Sequence, residues 1–308
     1  MGSAIERLRA VGTVEVYPDA RTILPKAQLI EAVRECDILC CLLHDRVDAD
    51  VIDAGTSLQM ISDGAINPTN INMVRARERG IVVANIPNIV AEATADMQWA
   101  LLLAVARRVV EADRELRGGL FPGGQSLHFA GAPVGGKTFG SIGYGAIGRL
   151  SAKRAHGFGM RVLYSKPRQL SEAEEEADGI EYRILDELLD ESDFVAINAA
   201  YGPETHHLIG EHEFRLMKPG AYIINTARGP IVDESALVRA LTEGWIAGAG
   251  LDVFENEPSV HPDLLALDNV VLTPHLGSGN TDTRIAIADC IADNVLSFMN
   301  SQRLHRKF

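Results

Sequence analysis

Three side chains suited to handling a carboxylate and a proton each follow a late apolar run of the chain: Arg228 after residues 222–225, Glu257 after 247–254 and His275 after 270–273. A guanidinium grips a carboxylate through two parallel hydrogen bonds, which lysine does not match. An imidazole changes charge near neutrality, so it can act as acid in one direction and base in the other. A carboxylate hydrogen-bonded to that imidazole fixes its tautomer and favours the imidazolium. Together they would make an anion clamp, a proton donor and its orienter, the equipment for interconverting a hydroxy acid and an oxo acid beside a hydride carrier. Singly each has a plainer reading, a surface ion pair for Arg228 or a structural contact for His275. Their recurrence at consecutive strand ends is what points to a site.

A hydride carrier has an obvious place to bind. An apolar run at 139–142 meets Gly143-Tyr144-Gly145-Ala146-Ile147-Gly148, a helical pattern runs to about His156, and a second apolar run at 160–164 ends in Ser165-Lys166-Pro167-Arg168. In this strand, glycine turn, helix and strand, the first glycine permits the tight turn. The second lets backbone approach a pyrophosphate, and the third lets helix pack on strand. The helix start then offers N–H groups and a positive dipole end to phosphates. Open parallel sheets bind ligands beyond the carboxyl ends of their strands, the edge that also carries the three catalytic candidates.

The remaining chain must supply the scaffold. Its 308 residues suffice for two domains, and 46% hydrophobic composition can fill two cores. A formal charge of −13 without a basic run argues against a nucleic-acid partner. Cys36, Cys40, Cys41 and Cys290 form no CxxC pair and are expected as buried thiols in a reducing cytoplasm. No apolar run approaches the ~18 residues of a membrane span, and no leader segment is evident. Strands expected at 13–16, 38–43, 59–62 and 81–84 alternate with helical patterns, which predicts a parallel sheet. Residues 91–116 read as one long helix, 118–136 as a Gly/Pro-rich connector, and the pattern from 281 as a helix returning to the first sheet. The expected architecture is α/β with two doubly wound parallel-sheet domains, a Rossmann dinucleotide domain (99–283) inserted in a flavodoxin-like substrate domain (1–98 plus 284–308).

With these residues in view, the chain resembles the D-2-hydroxyacid dehydrogenases, a family that includes glyoxylate/hydroxypyruvate reductases, D-lactate dehydrogenases and phosphoglycerate dehydrogenases. The matching stretches are 141–148, Asn225-Thr226-Ala227-Arg228-Gly229, residues 250–258 and Thr273-Pro274-His275-Leu276-Gly277-Ser278. The resemblance spans nearly the whole chain. It implies Arg228, Glu257 and His275 as catalytic residues and a homodimer built on the dinucleotide domains. It also implies cofactor contacts from Thr94, Ala199, Ala200, Thr205, Thr226, Ala227, Asp252 and Gly277, besides the glycine turn and residues 165–168. The loop Ala65-Ile66-Asn67 would bind the substrate carboxylate through backbone N–H groups, with Arg228 and His275. Glu257 favours a hydroxy-acid substrate, because similar formate dehydrogenases carry Gln there. The chain departs from the pattern in an absent first strand, in Asn67 where Gly is usual, and in Asn198-Ala199-Ala200-Tyr201 where His-x-Pro-Leu is usual.

An NAD-specific turn wants Asp or Glu about 20 residues past the glycines to hold the ribose hydroxyls. Here Ser165 stands at that point, followed by Lys166 and Arg168. No carboxylate repels a 2′-phosphate and two cations attract one, so NADP(H) is expected in preference to NAD(H). Two decoys are set aside. Residues 131–138 spell GxxxxGKT but lead into a strand rather than a helix. His206, His207, Glu211, His212 and Glu213 lack a familiar metal spacing. The reading is a reductase of small 2-oxo acids such as glyoxylate or hydroxypyruvate. The alternative is a cofactor-sensing protein like the corepressors that share the fold.

Overall fold

The computed structural model describes residues 2–19, 21–124 and 127–305, the last four by backbone only. Met1 and 306–308, which the expected first domain includes, lie outside the described residues. The chain forms two compact units, one of residues up to Ile89 with those from Asn280 onward, the other Val90–Gly279.

The smaller unit holds a parallel sheet of β1 (Ile38–Cys41), β2 (Met60–Asp63) and β3 (Val82–Ala84), in that order. Parallel neighbours need crossovers, and helices supply them. The helix Ala49–Ala54 starts at Asp48, whose side chain accepts from the Val51 N–H, and Met73–Glu78 starts at Asn72, which accepts from Arg75. Leu29, Val33, Val51, Ile52, Ile61 and Ala76 form the core. The cysteines were expected to be buried, but Cys40 is exposed, because it points to the opposite face of β1 from the buried Cys41. The helix Thr281–His305 closes on β2: Ser62 Oγ donates to the Ile291 carbonyl at 3.3 Å, and Ile287 and Ile291 pack where a Gly64 side chain would stand. Residues 13–16, expected as a strand, form none. Their β-branched composition suits a pleated surface, but a strand needs a partner, and the β1 edge pairs only with β2.

The larger unit holds seven parallel strands: β4 (Thr138–Ile142), β5 (Arg161–Ser165), β6 (Glu181–Tyr182), β7 (Phe194–Ile197), β8 (Tyr222–Asn225), β9 (Gly248–Leu251) and β10 (Val270–Leu272). Their order is β10-β9-β8-β7-β4-β5-β6, so the winding reverses between β4 and β7. Continuous apolar runs make the inner strands because both faces are covered, whereas the edge strand β6 is short and partly exposed. Successive side chains alternate between two cores. Val195 and Ile197 join Phe214, Leu237 and Leu188 on one face, while Phe194 and Ala196 join Trp99, Leu102 and Ala155 on the other.

The long helix expected over 91–116 is two helices, Ala91–Ala106 and Val109–Arg117. Arg108 between them adopts a left-handed conformation (φ 53°), and its guanidinium donates to Glu111 and to the His128 carbonyl. The break falls where burial ends: the first helix buries ten residues and the second none. The first helix packs on the helix Ala146–Gly157 and on β8, β9 and β10 along its length. Residues 90–98 therefore group with the larger unit, and 280–283 with the smaller, where the sequence placed the divisions at 98/99 and 283/284.

Candidate active site

Beyond the carboxyl ends of β4 and β7, the point where the winding reverses, two backbone segments nearly touch. A β-carbon on Gly143 (φ 90°) would lie 2.6 Å from Asn198 C and O and from Ala199 N. Only glycine serves there. A β-carbon on Gly148 would meet the Gly143 carbonyl at 2.9 Å, so that glycine seats helix against strand. Gly145 differs. It is the N-cap of Ala146–Gly157, no side chain caps that helix, and a β-carbon would meet no protein atom within 4 Å. Protein packing does not demand glycine at 145, whereas a pyrophosphate lying on the backbone would, and the uncapped N–H groups of Ala146, Ile147 and Gly148 suit an anion. The residues fit a dinucleotide. Tyr144 was expected at the cofactor with its neighbours, but its side chain is buried, donates to Asp178 Oδ2 at 3.2 Å and stacks under Arg149. Only its backbone faces the turn, because the ring fills the core beside Tyr164.

At the second strand end, the Ser165 carbonyl accepts from Gly143 N at 2.7 Å and closes the turn. Lys166 is half-buried, and Pro167 and Arg168 are exposed. Farther along the edge, Thr205 Oγ1 accepts from Gly202 N and donates to the Ala200 carbonyl at 2.8 Å, shaping the loop that contains Ala199 and Ala200.

The three catalytic candidates are positioned from β8, β9 and β10. Asn225, last residue of β8, donates from Nδ2 to the Arg228 carbonyl and accepts at Oδ1 from Ala227 N, which folds the turn. Gly229 lets that turn press on the backbone of Phe254 and Glu255, where any β-carbon would collide. The Arg228 guanidinium donates to the Ala227 carbonyl at 2.7 Å; burial pushes its pKa down, and the charge of Glu257 opposes that shift. Glu257 is held at both oxygens. Oε1 accepts from Phe254 N at 2.9 Å, and Oε2 lies 2.8 Å from His275 Nδ1. His275 itself is left-handed (φ 54°) and its side chain is 13% exposed, which leaves the imidazole screened but reachable.

Asp252, expected at the cofactor, is wholly buried and holds the histidine loop. Its carboxylate accepts from Leu276 N and Gly277 N, each at 2.7 Å, and from Thr273 Oγ1 at 2.6 Å. Burial raises its pKa and these hydrogen bonds oppose the rise. Thr94 lies against Gly277, within 3.5 Å of where a β-carbon would stand. Thr226 is buried and Ala227 half-buried.

In the smaller unit, the Ala65 carbonyl accepts from Ile86 N at 3.3 Å, and the Ile66 carbonyl accepts from the Asn85 side chain. The N–H of Ala65, expected to bind the substrate carboxylate, is instead turned to the Asp63 carboxylate, which takes it up at the end of β2. Asn67 is exposed, and its carbonyl accepts from Thr69 N at 2.8 Å.

A family model, "D-isomer specific 2-hydroxyacid dehydrogenase, NAD binding domain", matches residues 99–277. The chain belongs to the D-isomer specific 2-hydroxyacid dehydrogenases. It is 45% identical over 304 residues to a glyoxylate reductase of Thermococcus gammatolerans, covering 97% of this chain and 90% of that one. Among solved structures it is similar to the TT0316 protein of Thermus thermophilus (41% identity, TM-score 0.88, 97% and 94% covered). It is also similar to a D-lactate dehydrogenase of Aquifex aeolicus complexed with NAD and lactic acid (28%, TM-score 0.82, 97% and 92%). Membership makes the protein a nicotinamide-dependent oxidoreductase with a parallel-sheet fold.

The dehydrogenase uses its decoy residues elsewhere. Lys137 and Thr138 enter β4. Glu211 pairs with Arg215 and Arg239, Glu213 caps its own helix at Gly210 N, and His207 contacts Glu255 at 2.8 Å, so no metal set converges there. No described helix is long and apolar enough to cross a membrane. The sequence reading passed over Gln98, Ser141 and Ser151, all buried and mutually linked through hydrogen bonds at the site's base. Their signal was a Gln and two Ser inside otherwise apolar patterns.

Proposed function

We propose that this dehydrogenase reduces a small 2-oxo acid, of glyoxylate or hydroxypyruvate size, to the D-2-hydroxy acid with hydride from NADPH. The observation that carries the reading is the 2.8 Å contact between His275 Nδ1 and a Glu257 that is itself pinned by Phe254 N. A carboxylate on Nδ1 keeps a proton there and leaves Nε2 to give its proton to the carbonyl oxygen, or to take one back in the reverse direction. Arg228 holds the substrate carboxylate in two-point fashion and polarises the adjacent carbonyl. The bound cofactor supplies the hydride. The glycine turn, with the strand-end residues from Thr94 to Gly277 named above, receives that cofactor in the larger unit. The loop Ala65-Ile66-Asn67, expected to bind a carboxylate through backbone N–H groups, belongs to the smaller unit.

Preference for NADPH rests on Ser165, Lys166 and Arg168. No carboxylate stands at position 165 to repel a 2′-phosphate, and the cations Lys166 and Arg168 follow it. The homodimer rests on the family resemblance and on an exposed apolar stretch, with Val109, Leu116, Phe121 and Leu127 between 53% and 83% exposed. Free thiols at Cys36, Cys40, Cys41 and Cys290 suit a cytoplasmic site. Initial rates on a panel of 2-oxo acids with each cofactor test the proposal. Turnover of glyoxylate or hydroxypyruvate with NADPH preferred is expected. Cofactor binding without turnover of any acid would favour a sensor instead.

A further inference from the structure

The site's base holds a buried amide that the chemistry above does not use. Gln98 sits in the helix Ala91–Ala106 among Trp99, Leu101 and Leu102 and is wholly buried. Both of its amide donors and its carbonyl oxygen are engaged. Nε2 donates to Asn198 Oδ1 and to Thr226 Oγ1, both at 3.1 Å, and Oε1 accepts from Ser151 Oγ at 2.5 Å. The line continues: Asn198 Nδ2 donates to Ser141 Oγ at 2.9 Å, and Ser141 Oγ donates to the Gly143 carbonyl at 2.7 Å. One carboxamide thus ties the helix after the glycine turn to the ends of β7 and β8. Through Asn198 it also orients the first peptide of the turn.

Packing does not call for this arrangement. A leucine fills similar volume without the cost of burying an amide. What the amide adds is direction, because each donor has one assigned acceptor and the loops cannot slide without leaving a buried polar group unpaired. Thr226 lies two residues before Arg228, and its hydroxyl oxygen is occupied as an acceptor by Gln98.

We propose that Gln98 is a positioning residue of this dehydrogenase: its carboxamide sets the alignment of the glycine turn, which receives the cofactor, against the β8 loop that carries Arg228. The inference rests on the cofactor reading above and concerns how that site is held in register.

The test uses the full-length protein, wild type against Gln98→Leu and Gln98→Glu. Affinity for NADPH and NADH is read from nicotinamide fluorescence, with melting temperature, kcat and the isotope effect for deuterated cofactor measured alongside. In Gln98→Leu the dissociation constant should rise about 10-fold, as loss of oriented buried hydrogen bonds implies. Its kcat should fall further than KM for the oxo acid changes, and the isotope effect should increase as hydride transfer becomes limiting. Gln98→Glu keeps the Ser151 acceptor but loses both donors, so it should share the defect even if the leucine variant folds poorly. Cofactor affinity and isotope effect unchanged in both Gln98 variants, with only the melting temperature lowered, would overturn the proposal and leave the cofactor reading intact. A wild-type protein that binds neither cofactor would overturn that reading and this inference with it.

Discussion

Gly143 and Gly145 stand two residues apart and should fail in different ways when given a methyl group. At Gly145 the added carbon meets no protein atom within 4 Å, and the backbone is in an ordinary extended conformation (φ −101°). Alanine there should cost stability only what a poorer N-cap costs, about 1 kcal/mol or less. At Gly143 the carbon sits 2.6 Å from three backbone atoms of Asn198 and Ala199, so the segments must part by ~0.9 Å to reach an ordinary contact of ~3.5 Å. Overpacking of that kind costs about 1–3 kcal/mol, and a left-handed alanine about 1–2 kcal/mol more. For a unit of this size that corresponds to a fall in melting temperature of roughly 5–15 °C. Cofactor affinity separates the causes. Gly145→Ala should melt within a few degrees of wild type, yet bind NADPH at least ~10²-fold more weakly, because the methyl stands where a pyrophosphate must approach. Calorimetry and fluorescence titration on the same samples decide it, with Gly157→Ala, which also meets nothing within 4 Å, as the neutral control. Undiminished affinity in Gly145→Ala would refute the placement of the phosphates.

Other substitutions read the remaining parts of the site. Arg228→Ala should raise KM for the oxo acid by about 10–100-fold, the range for losing a charge-assisted hydrogen-bond pair. His275→Ala should instead lower kcat by about 10²–10⁴-fold; an unchanged rate would remove it from the acid/base role. Ser165→Asp should move the ratio of kcat/KM for NADPH over NADH toward NADH by roughly tenfold or more, since a carboxylate repels the 2′-phosphate and accepts from ribose hydroxyls. Asp63 is wholly buried, and desolvation raises its pKa. A carboxyl raised in the fold stabilises fully below its unfolded pKa of about 3.9, and that stability is lost as pH rises through the folded value. Asp63→Asn cannot ionise, so it should melt higher than wild type at pH 8, with the gain shrinking toward pH 4. A gain independent of pH would contradict this.

The sequence made six of the large unit's seven strands legible because burial on both faces leaves uninterrupted apolar runs; β6, the two-residue edge strand Glu181–Tyr182, has no such run and escaped. Arg228, Glu257 and His275 came into view as candidates because strand ends in such a sheet converge. What escaped was settled by partners that no local pattern displays. Residues 13–16 have strand-like composition but no neighbour to pair with. The break at Arg108 comes from burial ending, since both flanking segments look helical. Tyr144 sits inside the glycine motif, yet Asp178, distant in sequence, and the nearby Arg149 decide where its ring goes. Gln98 was hidden for the opposite reason: one polar residue on the buried side of a helix looks like noise until the helix and the two strand ends that meet it are known.

The interrupted smaller unit also dictates an order of biosynthesis. Its β2 is covered by the helix Thr281–His305, whose Ile287 and Ile291 pack at Gly64, and that helix leaves the ribosome after all of residues 90–279. The larger unit can therefore complete its seven-stranded sheet while the smaller still exposes the apolar face of β2. The sheet translated before the larger unit is thus enclosed after it.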